Sequence, residues 1–362
     1  METKTVPALK RVDYIIVGQG LAGTALAWTL ANRGYDVFIV DRCEQTTSSH
    51  VAAGLVTPIT GLRLVVSWRL DEFLPFATNF YRNIEQKTGS SFFKLKPMLR
   101  LFASDQEQEQ YRQRSQTHFP HLVSTPEPLA AESMFEISRG GFEMSQGAQL
   151  DVPTYLNVSR LFFSQQDRFL EADIDPLQDL DFASNGISLP QWNVTARKVI
   201  FCEGIHGQQN PWFKTIPFEG AKGEILTLKI PGLTERRVVH RGVWLAHWKE
   251  DLYRAGSTYD REHLNCIPTS AGRAEICTRL SEFLKLPVEV IDHSAAVRPI
   301  IRGRLPVMGL HPVHPHIGFF NGFASKGSLQ TPWMADHFVN VLEEKIPLEK
   351  QLDLHHKIEV RT

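Results

Sequence analysis

The sequence predicts an α/β fold in which a parallel sheet is interwoven with an α+β portion built on an antiparallel sheet. Three observations predict it. Near the start, a strand of the buried type runs into a glycine-bearing turn and then a helix, over residues 13–33. Near the end, a second strand–glycine–helix junction follows residues 317–321. Between them lie β-branched and alternating runs punctuated by Gly and Pro, with no internal repeat and no low-complexity linker.

The first forty residues carry the most specific signal. Residues 13–17 (DYIIV) suit a strand buried on both faces. Residues 24–33 then place Leu26, Ala27 and Leu30 on one face of an amphipathic helix, and Gly34 stops it at the C′ position. Residues 37–40 (VFIV) read as a second buried strand ending at Asp41. The turn between strand and helix is Gly18-Gln19-Gly20-Leu21-Ala22-Gly23. Gly18 permits the tight turn, Gly20 lets a pyrophosphate approach the backbone, and Gly23 allows close helix–strand packing. Asp41 can accept hydrogen bonds from both ribose hydroxyls and disfavours a 2′-phosphate. With strand, helix and acid all in place, the pattern predicts a Rossmann-like dinucleotide site. It does not choose between FAD and NAD.

Composition bounds the partners. The chain has 362 residues, enough for one large domain or two intimately joined ones. With 39 basic and 40 acidic side chains, the formal net charge of −1 supplies no overall field for nucleic acid or an anionic membrane. Cys43, Cys202, Cys266 and Cys277 are scattered without a C-x-x-C pair, as expected of free thiols in a reducing cytosol. Residues 1–10 are polar and lack the apolar core of a signal peptide, and no run reaches the ~18 apolar residues of a membrane span. A cytoplasmic protein without nucleic-acid or membrane partners is expected; the oligomeric state stays open.

Several later segments together resemble the family of D-amino-acid, glycine and sarcosine oxidases. Residues 46–61 (TTSSHVAAGLVTPITG) resemble its serine-rich loop and small-residue segment. Ser48 and Ser49 can offer hydroxyls to phosphates, and Ala52, Ala53 and Gly54 leave room for a flat ring. Residues 198–204 (KVIFCEG) look like the family strand returning to the cofactor, though Glu203 stands before Gly204 where a small residue is usual. The run KGEIL (222–226) resembles the turn that opens its substrate sheet, and YRAGSTY (253–259) resembles a strand of that sheet. Ala296-Val297-Arg298-Pro299 and RLPVMG (304–309) resemble its C-terminal signature. Gly322, Lys326, Gly327, Ser328, Leu329 and Gln330 follow in the second junction, whose amides can face the electron-rich edge of a flavin.

The resemblance covers residues 12–342 and implies FAD in a glutathione-reductase-type Rossmann-like domain. It implies further cofactor contacts at Gln19, Leu21, Ala22, Arg42 and Ile174. It divides the chain into an FAD-binding domain (1–88, 147–218 and 297–362) and a substrate domain (89–146 and 219–296). Pattern reading agrees in outline. Residues 92–103 suit a strand pair around Pro97, residues 105–118 a polar helix with an acidic start, and residues 153–165 a helix opening on proline. Residues 225–229 and 238–247 suit further strands of one antiparallel sheet.

The chemistry implied is hydride transfer from a carbon bearing an amine to flavin N5, giving an imine, with the protein positioning the substrate and excluding water. Arg298 is the first candidate for a substrate carboxylate, because a guanidinium fork matches it bidentately. Its structural alternative is an internal ion pair at the domain seam. Lys326 is a candidate for the carboxylate or the flavin edge. Trp244, His247, Trp248 and Tyr253 are candidates for an apolar slot over the ring, and His240 for the same cavity. The histidines of LHPVHPHIG (310–318) have no completing ligands, so no metal is expected. Residues 294–309 contain no cysteine, so the family's covalent attachment is not expected and FAD should be noncovalent. The competing readings are an NAD-dependent dehydrogenase using only the first fingerprint, a tRNA-modification-type amine oxidase, and a module holding FAD without turnover. A flavin spectrum, tRNA binding and substrate reduction separate them.

Overall fold

The computed structural model describes residues 9–183 and 186–358. Residues 1–8 of the polar start, and the outermost ends of the expected FAD-binding segments, lie outside the described residues. Lys10–Val17 and Val37–Asp41 form adjacent parallel strands, with Tyr14 opposite Val37. Phe169–Glu171 extends the sheet on one side, and Val194–Phe201 followed by Ile317–Asn321 extends it on the other, all parallel. Antiparallel Val307–Leu310 closes that edge.

The second large sheet runs in the order Glu289–Arg298, Ala221–Lys229, Leu252–Gly256, Val243–Lys249, Val238–Arg241, Met98–Leu101, Gly141–Met144, Val123–Ser124. Its pairs are antiparallel except Met98–Leu101 against Val238–Arg241. Residues 238–247, read as one strand, are a hairpin turning at Gly242, whose φ of +71° suits glycine. Residues 92–103 form two strands on either side of Pro97, but these do not pair with each other and belong to different sheets. Phe93–Leu95 joins a small sheet with Ala148–Leu150, and beyond Pro97 the chain enters the large one.

The glycine helix, Leu21–Asn32, differs from its amphipathic reading. Leu21 and every residue from Gly23 to Leu30 are buried, so two faces are covered. The final helix, Gly327–Leu342, packs along one side. Val152–Gln165 covers another, where Trp28 Nε1 donates to Ser159 Oγ at 2.8 Å. Gly34 ends the helix with φ +85°. The polar helix Asp105–His118 is capped by Ser104, which accepts from the Glu107 amide. Among the described residues no helix is long and apolar enough to cross a membrane.

Gly54 meets the strand Ala148–Leu150 at the backbone. It has φ +69°, Leu150 N donates to its carbonyl at 3.0 Å, and an added Cβ would lie 1.8 Å from the Leu150 oxygen. Gly54→Ala should therefore destabilise the protein by roughly 2 kcal/mol or more, read as a lowered urea midpoint. An unchanged midpoint would show that this junction relaxes freely.

Candidate active site

A cavity of about 540 Å3 runs from the tip of the second parallel strand, past the N-termini of the glycine and final helices, to the face of the antiparallel sheet. At the first end Asp41 is held by two amides, accepting from Gln19 N at 2.5 Å and Cys43 N at 2.7 Å. The Gln19 side chain does not reach the cavity. It is buried, donating to the Leu156 carbonyl and accepting from Arg160 Nε at 2.7 Å. Gly18, Gly20, Leu21 and Ala22 line the cavity, whereas Gly23 is a packing residue whose added Cβ would lie 1.8 Å from the Gly18 carbonyl. Ser48 and Ser49 also line it, and Ser49 Oγ accepts from Leu21 N at 3.0 Å. A Cβ on Gly20 would come within 2.9 Å of that same hydroxyl.

Arg42 and Ile174 stand at this end, Arg42 beside Asp173 at 3.7 Å. Glu44 and His206, paired at 3.1 Å, were not picked out from the sequence; Glu44 sits in a loop and His206 in the short 3-10 turn Gly204–Gln208. Glu203 causes no clash. It accepts from Asn210 Nδ2 at 2.9 Å, and burial, opposed by that bond and by Arg42, raises its carboxyl to about 7. Gly204 lines the cavity beside it.

The middle is built from small residues. Ala52, Ala53 and Gly54 form one wall, and Lys326, Gly327 and Ser328 another. A Cβ on Gly327 would lie 2.9 Å from Leu21 Cδ1, so glycine brings the two helix N-termini together. Gly322, Leu329 and Gln330 stand behind this wall: Gly322 turns with φ +90° against Ile301, and the other two are buried in the last helix. Lys326 Nζ donates to Ser67 Oγ at 3.3 Å, and burial lowers its amine to about 8.

At the far end, strand alternation sorts the candidates. Trp244 lines the cavity. Tyr253 and His247 do not: they are register partners on the opposite face, where Tyr253 is 1% exposed and donates to the Leu233 carbonyl at 2.6 Å. His247 instead lines a second cavity with Trp248. His240 reaches the first cavity, and burial, aided by Arg100, lowers its imidazole to about 3, so it is neutral near pH 7. Arg298 lies across Gly223, where an added Cβ would sit 2.1 Å from its Nη2. Ser257, Tyr259 and Cys266 complete this end and were not singled out from the sequence. His311 and His314 pack against each other and Trp212, and among the described residues no cluster of His, Cys, Asp or Glu is arranged for a metal.

The profile of the DAO family, described as FAD dependent oxidoreductase, matches residues 13–341. The chain belongs to this FAD dependent oxidoreductase family. FAD is accordingly its cofactor, which sets aside the NAD reading. The fold is similar to that of glycine oxidase from Geobacillus kaustophilus, with a TM-score of 0.78 at 16% identity over 98% of this chain and 100% of that one. Alpha-glycerophosphate oxidase (the L form) from Mycoplasma pneumoniae, solved with FAD bound, gives 0.74 at 14% identity over 96% and 99%. Among curated proteins, the tRNA 5-methylaminomethyl-2-thiouridine biosynthesis bifunctional protein MnmC of Marinobacter nauticus is 24% identical over 94% of this chain. The chain spans 57% of that relative's length.

The residues of this FAD dependent oxidoreductase fit the cofactor. An acid held by amides stands at the strand tip, a glycine turn at Gly20 carries the Ser49 hydroxyl beside it, and two helix N-termini converge beyond it. Gly20→Val should abolish retention of FAD, and Asp41→Ala should weaken it by roughly 1–3 kcal/mol. Fluorescence titration of apoprotein measures both, and undiminished affinity in the pair would exclude this site.

Glu203 gives a pH signature. Its folded value of about 7 exceeds the ordinary 4.5, so folding takes up a proton between them. The favourable contribution is complete below 4.5 and is lost as pH rises to about 7. In apoprotein, Glu203→Gln should flatten stability across that window and add on the order of 2–3 kcal/mol at pH 8. A pH profile identical to wild type in urea titrations would refute the assignment.

Proposed function

We propose that this enzyme oxidises the C–N bond of an amine that also bears a carboxylate, an amino acid or N-substituted amino acid, to the imine. One observation carries the reading. The Arg298 guanidinium is largely buried at the cavity end yet meets only neutral groups: Ser257 Oγ at 2.6 Å and the carbonyls of Lys222 and Thr258 at 3.3–3.4 Å. Among the described residues it has no carboxylate partner, and burial lowers its proton affinity. A buried cation left without an anion is costly, and a substrate carboxylate would offset that cost.

FAD, when bound, supplies the hydride acceptor. Arg298 holds the carboxylate and so fixes which hydrogen of the substrate faces that acceptor. Trp244 supplies an apolar wall that excludes water, and the ring of Tyr259, 5.6 Å from the guanidinium, flanks the binding position. A dry pocket favours the neutral amine, the form that releases hydride readily. Lys326 provides a second cation across the cavity. FAD is held noncovalently in this reading. The domain division given above is part of the same proposal and is supported by the separation of the two large sheets along the chain.

A second reading has the amine carried on tRNA. It rests on the name of the relatives matched over most of the chain; the net charge of −1 weighs against it.

Arg298→Ala should keep FAD while reduction by the preferred amino acid falls ~100-fold or more, about 2.7 kcal/mol. Arg298→Lys keeps charge but loses the fork and should lose most of the specificity constant, while amines without a carboxylate change little. Anaerobic stopped-flow bleaching measures these rates. Loss of FAD or of the fold in Arg298→Ala would instead make the arginine a structural tie.

A further inference from the structure

A second cavity, of about 430 Å3, lies on the other side of the Ala52–Ala53 wall, and those two residues line both. Its lining is rich in cations without counter-ions. Lys94, Lys96, Arg236 and Arg254 all border it, and among the described residues none has a carboxylate within 4.0 Å. Lys96 Nζ donates to Gln149 Oε1 at 2.9 Å and the His247 carbonyl at 3.3 Å. Arg254 donates only to the carbonyls of Val51 and Ala52, at 2.6–2.9 Å, and Arg236 to that of Glu250 at 3.4 Å.

The acids nearby are already engaged. Asp151, in the lining, caps the helix Val152–Gln165 by accepting from Thr154 N and Oγ1. Glu235 and Glu143 are taken by Arg237 at 2.6 and 2.8 Å. Asp292 and Asp151 attract Arg254 from beyond ion-pair distance. Burial, then repulsion from Lys94 and Arg236, lowers the Lys96 ammonium to about 8. Lys96 is thus raised in energy by the two neighbouring cations, and an anion among them would offset that repulsion. The N-terminus of the 14-residue helix Val152–Gln165 also borders this space, where its partial positive charge is offset by the capping Asp151. Trp248, 42% exposed, stands at the rim with Lys249 over its ring at 4.7 Å.

We infer that this second cavity is an anion site that takes the phosphate group of a phosphorylated ligand, separate from the flavin cavity. The ligand is either a small phosphate ester or the phosphodiester of an RNA strand. The two share the same chemistry at Lys94, Lys96, Arg236 and Arg254, and only the strand would gain from stacking on Trp248.

The test uses FAD-loaded enzyme, so the dinucleotide site is filled, and calorimetry, which needs no turnover and is independent of the amino-acid reading. Pyrophosphate and a single-stranded oligoribonucleotide are titrated at two salt concentrations into wild type, Lys94→Gln/Arg236→Gln and Trp248→Ala. Saturable binding that weakens at least tenfold in the double variant, with FAD content unchanged, supports the site. Tighter binding of the oligonucleotide that Trp248→Ala reduces assigns the phosphodiester; equal affinities, indifferent to Trp248, assign the small ester. If neither ligand binds, or if binding is indifferent to Lys94→Gln/Arg236→Gln, the inference is overturned. A double variant that lost its fold would lose FAD; Lys96→Gln, inside the cavity, then serves as the second variant under the same criteria.

Discussion

The architecture depends on one close approach: the glycine helix meets the first strand where Gly23 has nothing to project toward the Gly18 carbonyl. That contact puts the helix N-terminus against the strand end and therefore next to Asp41 on the neighbouring strand. Gly327 repeats the device, bringing the last helix onto Leu21. Two partial positive helix ends then face one space, where an anion is stabilised without any side-chain charge being spent. The burial of Leu21–Asn32 on several faces follows, because helices drawn in this closely leave little of its surface to solvent.

What was legible in the sequence was what neighbouring residues decide. The glycine fingerprint, the acidic start of the helix Asp105–His118 and the proline-opened helix each announce themselves within a few positions, and each forms where expected. Facing is harder. Trp244 and His247 are an odd number apart on one strand, so strict alternation sends them to opposite sides, a constraint the sequence already contained. Which of them met the cavity depended on long-range pairing with Leu252–Gly256, and that is not encoded locally. Glu44, His206 and Cys266 were invisible for the same reason: each reaches the cavity from a loop or short 3-10 turn whose course is set by distant packing.

Arg298 shows how a motif acquires a physical reason. The glycine of Lys222-Gly223-Glu224 reads from sequence as a turn signal, yet it lies inside a regular strand, paired with Ala296. Its service is spatial, since the guanidinium occupies the volume that a side chain would fill. Beneath it, Lys222 and Glu224 form a buried ion pair at 3.6 Å, and Lys222 also donates to Asn265 and the Ile267 carbonyl, tying down the loop that carries Cys266. The arginine is thus held by carbonyls and a hydroxyl on a rigid sheet, which preserves its charge for something that arrives from outside.

The passage of the chain through Pro97 separates residues 93–95 from residues 98–101 into different sheets, and the backbone keeps crossing in this way. It leaves the parallel sheet after Val37–Asp41, returns for Phe169–Glu171, leaves again for Ala221–Lys229, and returns for Val307–Leu310. No single cut divides the chain into one sheet and the other. Each layer contains local hairpins but is completed by strands far apart in sequence. The walls of the large cavity therefore come from segments scattered along the chain, and closing it requires long-range pairing in both layers.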